Sequence, residues 1–222
     1  MGWPADEIDR ECLLSPTDIV DIWDACEIVG TPYGPIVRLM MLTLTKEADV
    51  VGMAVKELVL DQRTNTSLWT IPSERSRTGS AMAVPLTPMA TSIVLSALGR
   101  RTNEGLIFGN RKRRKLTGLS SRKALLDEWI NVSRYLQPAL DWKLGDIRRT
   151  FAVVMEVDQG FSRQEINLCL DLKLPSKSHG NSSVSDLGTR RQVLEAWGSL
   201  LESWLIAHSS LPEWRARRTD GA

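Results

Sequence analysis

Three short runs, Leu58-Val59-Leu60, Leu68-Trp69-Thr70-Ile71 and Ala81-Met82-Ala83-Val84, decide how the chain is read. Each is rich in residues that favour extended backbone, and polar turns containing Asn65 and Gly79 separate them. They predict a small three-stranded antiparallel sheet. On either side the pattern changes to helical spacing. Upstream, Ser15-Pro16-Thr17-Asp18 reads as an N-cap, a proline at the first helical position and an acid in the first turn. It opens a helix through Ile19, Ile22, Trp23 and Cys26. Residues 32–35, bounded by two prolines, are expected to break the chain before a second helix with Ile36, Leu39, Met40 and Thr43 on one side. A short helix is expected over 47–55.

Downstream, Thr87-Pro88 restarts a helix that runs to about Leu98. Further helices are expected around Leu125, Leu126 and Trp129, and around Ile147, Phe151, Val154 and Met155. Ser162 and Glu165 form a capping-box pattern at the head of the next one. The Ser- and Gly-rich segment 175–186 reads as a loop, and a last long helix carries Leu187, Leu194, Trp197, Leu201 and Leu205 on one stripe. Helices, a small sheet and helices again predict an α+β fold that is mainly α. It is expected as one domain over 14–208, with tails at 1–13 and 209–222.

Composition sets the outer bounds. Hydrophobic residues at 42% and charged residues at 25% match a globular protein and exclude a disordered acidic or basic chain. No apolar run approaches the roughly 20 residues that span a bilayer, so no membrane partner is expected. The acidic start, Met1 to Glu7, lacks the basic and apolar regions of a signal peptide. Cys12, Cys26 and Cys169 are scattered thiols without a CxxC pair, which predicts a reducing cytoplasm and neither a metal site nor a cofactor. The net charge of +1 excludes a chain coated in positive charge, but it leaves room for a local basic face. One such candidate lies between Arg100 and Lys123, where nine Lys and Arg face one acid, with Arg111-Lys112-Arg113-Arg114-Lys115 at the centre.

Four segments then make the reading specific. Leu42-Thr43-Leu44-Thr45-Lys46-Glu47-Ala48-Asp49-Val50-Val51-Gly52-Met53 resembles the tyrosine-recombinase stretch written LTGxRRGEVxGL. Trp69-Thr70-Ile71-Pro72-Ser73-Glu74-Arg75, followed by Val84-Pro85-Leu86-Thr87, resembles the WTIPxER…VPLS hairpin of that family. Gly145-Asp146-Ile147-Arg148-Arg149-Thr150-Phe151-Ala152 resembles HDLRRTFA, and Arg190-Arg191 with Leu194-Glu195-Ala196-Trp197 resembles the end of phage-type integrases. The resemblance runs in order from about Leu14 to Leu205. It implies a tyrosine-recombinase catalytic-domain-like fold of bacterial or phage origin, associated with DNA recombination and integration on a mobile element.

In that family a tyrosine attacks the DNA phosphate while two arginines and further donors stabilise the charge that develops on it. The resemblance places Lys46 at the first arginine, where an ammonium lacks the bidentate fork. Arg77 stands at the hairpin lysine, where an always-protonated guanidinium is a poor acid. Gly145 replaces the histidine of HxxR, Arg148 keeps its arginine, and Leu172 replaces the second His or Trp. The nucleophile's place falls at Asn181. The chain's only tyrosines are Tyr33 and Tyr135, neither C-terminal to Arg148. The resemblance therefore implies a pseudoenzyme, without an intact catalytic set. The family's separate N-terminal DNA-clamping domain has no counterpart in the sequence.

The expected DNA-binding residues are Lys46, Arg75, Arg77, Arg111, Lys112, Arg113, Arg114, Lys115, Arg148 and Arg149, with double-stranded DNA as partner. Each has a blander reading. A charge run is most often a solvated loop, and Arg148 is equally at home in an ion pair. Ser182 and Ser183 lack a neighbouring base that would make either a substitute nucleophile, and His179 reads as a surface histidine. Trp197 and Trp204 suit either a core or a partner surface. Three functions stay open. They are a catalytically inactive integrase-like DNA-binding protein, a module that self-associates or meets a partner integrase through its C-terminal helix, and a subunit with residual recombinase activity beside an active partner. Converging cations on one face favour DNA, and acids interrupting that face favour protein interaction.

Overall fold

The first helix, α1 (Pro16–Val29), begins where the sequence places it. Ser15 accepts from the Asp18 amide while the Asp18 carboxylate takes the Ser15 amide in return, a complete capping box with Pro16 behind it. The computed structural model describes residues 13–61, 63, 66–76, 79–99, 105–109, 115–134, 138–172 and 184–209. Asn65, Arg77, Arg111 to Arg114, Tyr135, His179, Asn181, Ser182, Ser183 and most of both expected tails lie outside them.

Helix α2 (Tyr33–Thr43) starts earlier than the two prolines suggest, because Pro35 falls in its first turn, where no intrahelical amide bond is required. α1 and α2 approach closely at Gly34, where any Cβ would sit 1.9 Å from the Cys26 carbonyl oxygen. The expected helix over 47–55 is shorter. It forms α3 (Glu47–Val51), ends at Gly52, and is followed by a 3-10 turn over Val55–Glu57.

Three strands follow: β1 (Leu58–Val59), β2 (Leu68–Ile71) and β3 (Met82–Pro85), antiparallel in the order β1-β2-β3. Their register pairs Trp69 with Val84 and Ile71 with Met82, all four buried on one face, while Thr70 on the other is exposed. Beside the sheet, the Val55 amide bonds the Gly105 carbonyl and the Ile107 amide bonds the Met53 carbonyl. This short bridge seats Ile107 and Phe108 in the core. The stretch read as a basic run thus contains an apolar anchor.

The rest is helical: α4 (Pro88–Leu98), α5 (Leu119–Ser133), α6 (Leu144–Val157), α7 (Arg163–Cys169) and α8 (Val184–Ser209). Ser162 and Glu165 complete the expected capping box of α7. On α5 the buried residues are Leu126 and Ile130, whereas Leu125 and Trp129 point to solvent. α8 begins at Val184, so the end of the expected loop is already helical. The architecture is mainly helical with one small antiparallel sheet. Within the described residues, no helix is long and apolar enough to cross a membrane.

α8 closes the core, touching α1, α2, α6, α7 and β3. Trp197 is fully buried, donates its indole N–H to the Met41 carbonyl at 2.7 Å, and meets Phe151 edge-on at 5.5 Å. Arg190 adds a second tie, donating to the carbonyls of Leu168 and Ala83. Trp197→Phe keeps a ring but leaves the buried Met41 carbonyl without its donor, so it should destabilise the fold by about 1–3 kcal/mol. Urea unfolding of both proteins measures this, and an unchanged midpoint would mean that the bond contributes nothing.

Candidate functional site

Lys46 lies in the turn between α2 and α3, and Arg148 lies on α6, yet both line one cleft beside the sheet. Leu44, Thr45, Ile71, Met82, Cys169 and Leu170 form its other walls together with two acids, Asp49 and Asp171. The fold therefore brings together the two basic positions that the resemblance makes central. It also supplies two carboxylates, which balance them in formal charge. Gly52, one turn beyond Lys46, sits so close to the Arg75 guanidinium that a Cβ there would lie 2.4 Å from Nη1.

The geometry around each residue follows from its element. Asp49 stands three residues after Lys46 on α3, and its amide bonds the Lys46 carbonyl at 3.0 Å. Burial pushes the Asp49 carboxyl above its usual range, opposed by Lys46 and Arg75, with Asp171 adding to the rise. Asp171 follows α7 with φ +52°, and Leu44, at the end of α2, has φ +57°. These are the positive-φ non-glycine residues among those described, and both line the cleft. Ser76, at the start of the β2–β3 connection, reaches both Asp171 carboxylate oxygens at 3.3 Å. Arg148 donates to the Leu170 carbonyl, which fixes its guanidinium against the end of α7. The cleft holds about 220 Å³ of space including open solvent, and its interior has room for roughly one water molecule.

The other expected contact residues take different places. Arg75 donates to the Gly52 carbonyl and pairs with Glu57 at 2.5 Å. The same Glu57 oxygen accepts from the Trp69 indole at 3.1 Å and the Ala54 amide at 3.2 Å, so this guanidinium is held within the fold. Arg149 pairs with Asp146 at 2.6 Å and lines a separate groove with Glu156 and Arg163. Lys115 is exposed. Gly145 is exposed in the first turn of α6, and a Cβ there would meet nothing within 4 Å. Leu172 is buried. Tyr33 is fully buried with its hydroxyl donated to Glu47 at 3.0 Å, and burial raises its phenol well above the ordinary range.

No family model, curated protein or solved structure matches this chain. What the cleft can do is therefore argued from its own chemistry. It holds fixed positive charge, the acids beside it offset that charge, and its lining among the described residues includes neither a tyrosine nor a histidine. Among the described residues, no group of three or more His, Cys, Asp or Glu is placed to hold a metal ion.

One of the lining acids and one buried tie were within reach of the sequence. Asp49 sits at i+3 from Lys46, a spacing that puts both on one helical face. Arg190 belongs to a quoted motif, though as a buried tie of α8 rather than a surface cation. Asp171 had no such signal, because its importance comes from a left-handed backbone turn between α7 and the buried Leu172.

The raised Asp49 carboxyl has a testable consequence. Between its ordinary value of 3.8 and its raised folded value, the native state binds more protons than the unfolded one. Stability is then fully present below 3.8 and falls as pH rises through the folded value. Asp49→Asn removes that slope, so relative to wild type the variant should gain stability between pH 4 and pH 7. Thermal unfolding across that range checks the sign, and a constant difference would show that Asp49 titrates normally.

Proposed function

We propose that this chain is a non-cleaving, integrase-like protein that binds duplex DNA through phosphate contacts. The observation that carries the reading is the meeting of Lys46 and Arg148, 102 positions apart, in one cleft at the edge of the sheet. No composition effect brings these two side chains together. Their meeting is what a degenerate phosphate-recognition site requires. The absence of cleavage rests on the cleft's chemistry: phosphoryl transfer by this route needs a free phenol or an equivalent nucleophile. The described tyrosine, Tyr33, is locked to Glu47.

Because the cleft is internally balanced in charge, the affinity for DNA is assigned to the exposed Lys115 and, from sequence alone, to Arg111, Lys112, Arg113 and Arg114 beside it. The packing of Trp197 into its own domain counts against the alternative in which α8 serves mainly as a partner surface. The exposed large apolar residue of that helix among those described is Ile206, near its far end.

Duplex DNA should bind with log K falling linearly against log salt, with a slope of about −0.9 per phosphate neutralised. Replacing Arg111, Lys112, Arg113, Arg114 and Lys115 by Ala should weaken binding to every sequence alike and flatten the slope. Gel shifts over a salt series measure both effects. No binding at low salt, or full binding by the five-residue variant, moves the reading to a protein-interaction module. Nicked substrates analysed on denaturing gels should give no protein-linked DNA, and a covalent band would overturn the pseudoenzyme reading.

A further inference from the structure

The cleft contains its own anions, and their placement points beyond simple loss of function. Asp171 lines the same small space as Lys46, Arg148 and Asp49. Its field reaches the neighbouring acid Asp49 and the buried Arg190 of α8. Ser76, 95 residues away in sequence, lies 3.3 Å from both of its carboxylate oxygens. Its backbone adopts a left-handed conformation that is costly for most side chains and tolerated chiefly by Gly, Asn and Asp. A charged group held in that way is positioned.

We propose that Asp171 is a built-in counter-anion: its carboxylate, seconded by Asp49, satisfies the Lys46–Arg148 cleft and excludes phosphate from a site that is otherwise able to bind it. The cleft is then a latent oxyanion site closed by the chain's own acid. The inference does not depend on DNA being the natural ligand, because it concerns the affinity of one cleft for one anion. Exclusion acts in two ways. The carboxylate takes the favourable field of the two cations, and its bulk leaves room for about one water in the interior. Removing the charge while keeping the side chain's shape and its bond from Ser76 tests the first effect. Removing the side chain tests both, and the left-handed backbone makes glycine a compatible replacement.

The experiment is a calorimetric titration of the full chain with inorganic phosphate, on wild type, Asp171→Asn and Asp171→Gly, each checked for native circular dichroism. Wild type should bind phosphate weakly. Asp171→Asn should bind roughly tenfold or more tightly, as expected from removing one nearby like charge, and Asp171→Gly at least as tightly. Adding Lys46→Met to Asp171→Asn should abolish the gain. Two folded variants that bind no better than wild type would overturn the proposal. So would a gain that survives Lys46→Met, because the anion would then be bound elsewhere. Failure of both variants to fold would overturn it too, since Asp171 would then be a structural tether. Duplex DNA binding by wild type, run in parallel, separates the two readings: its loss sinks the DNA assignment and leaves the phosphate result standing.

Discussion

The docking of α8 through Trp197 is the constraint on which the rest depends. The indole touches both the centre of α2, through the Met41 carbonyl, and α6, through Phe151. Trp204, two turns further along the same helix, meets Trp197 edge-on at 5.7 Å and extends the aromatic cluster. Edge-on aromatic pairs contribute about 0.5–1.5 kcal/mol each beyond the area they bury. Arg190 ties the first half of the same helix to β3 and to the end of α7. These contacts hold the end of α7 against α6, and with it the leucine carbonyl that fixes Arg148. The geometry of the cleft is thus set from outside it.

Charge balance explains why the framework persists while the cleft carries no reactive set. The cations that remain near the sheet are mostly satisfied inside the chain: Arg75 by Glu57 and the Gly52 carbonyl, and Arg149 by Asp146. A guanidinium buried without a partner is a liability, and an internal acid or carbonyl removes that cost. Glu57 does this for Arg75 while also accepting from Trp69, so the pair anchors the sheet to the 3-10 turn before it. The result is a stable structure whose positive groups have become ties.

Much of the fold was legible in the sequence because its signals are local. The capping boxes at Ser15 and Ser162, the proline starts at Pro16 and Pro88, and the alternation of Trp69 and Ile71 with Thr70 each need only a few neighbouring residues. Where the reading missed, distant contacts decided. Helical periodicity put Leu125 and Trp129 on α5 but did not choose its buried face, which α1 settles by covering Leu126 and Ile130. The Ile107–Phe108 anchor was hidden by the charges around it, since a run of cations masks two apolar residues in any average. In the cleft, Lys46 and Arg148 were visible through their motifs. Asp171 was not, because a single Asp at a left-handed turn carries no sequence mark.

That asymmetry matters for how a degenerate site is judged. Under the proposed integrase-like reading, counting catalytic positions treats the changed ones as blanks and leaves only Arg148. The structure replaces the blanks with interactions: Leu172 joins the core, Tyr33 is fastened to Glu47, and Asp171 is fixed by Ser76 at a backbone angle most residues avoid. A site that had merely decayed would leave its last cations facing water, where lone surface charges cost little and need no partner. Here Asp49 and Asp171 line the same cleft as Lys46 and Arg148, with Asp171 at the left-handed turn that ends α7, so the balance of charge in this cleft is set by how α3, α6 and α7 meet.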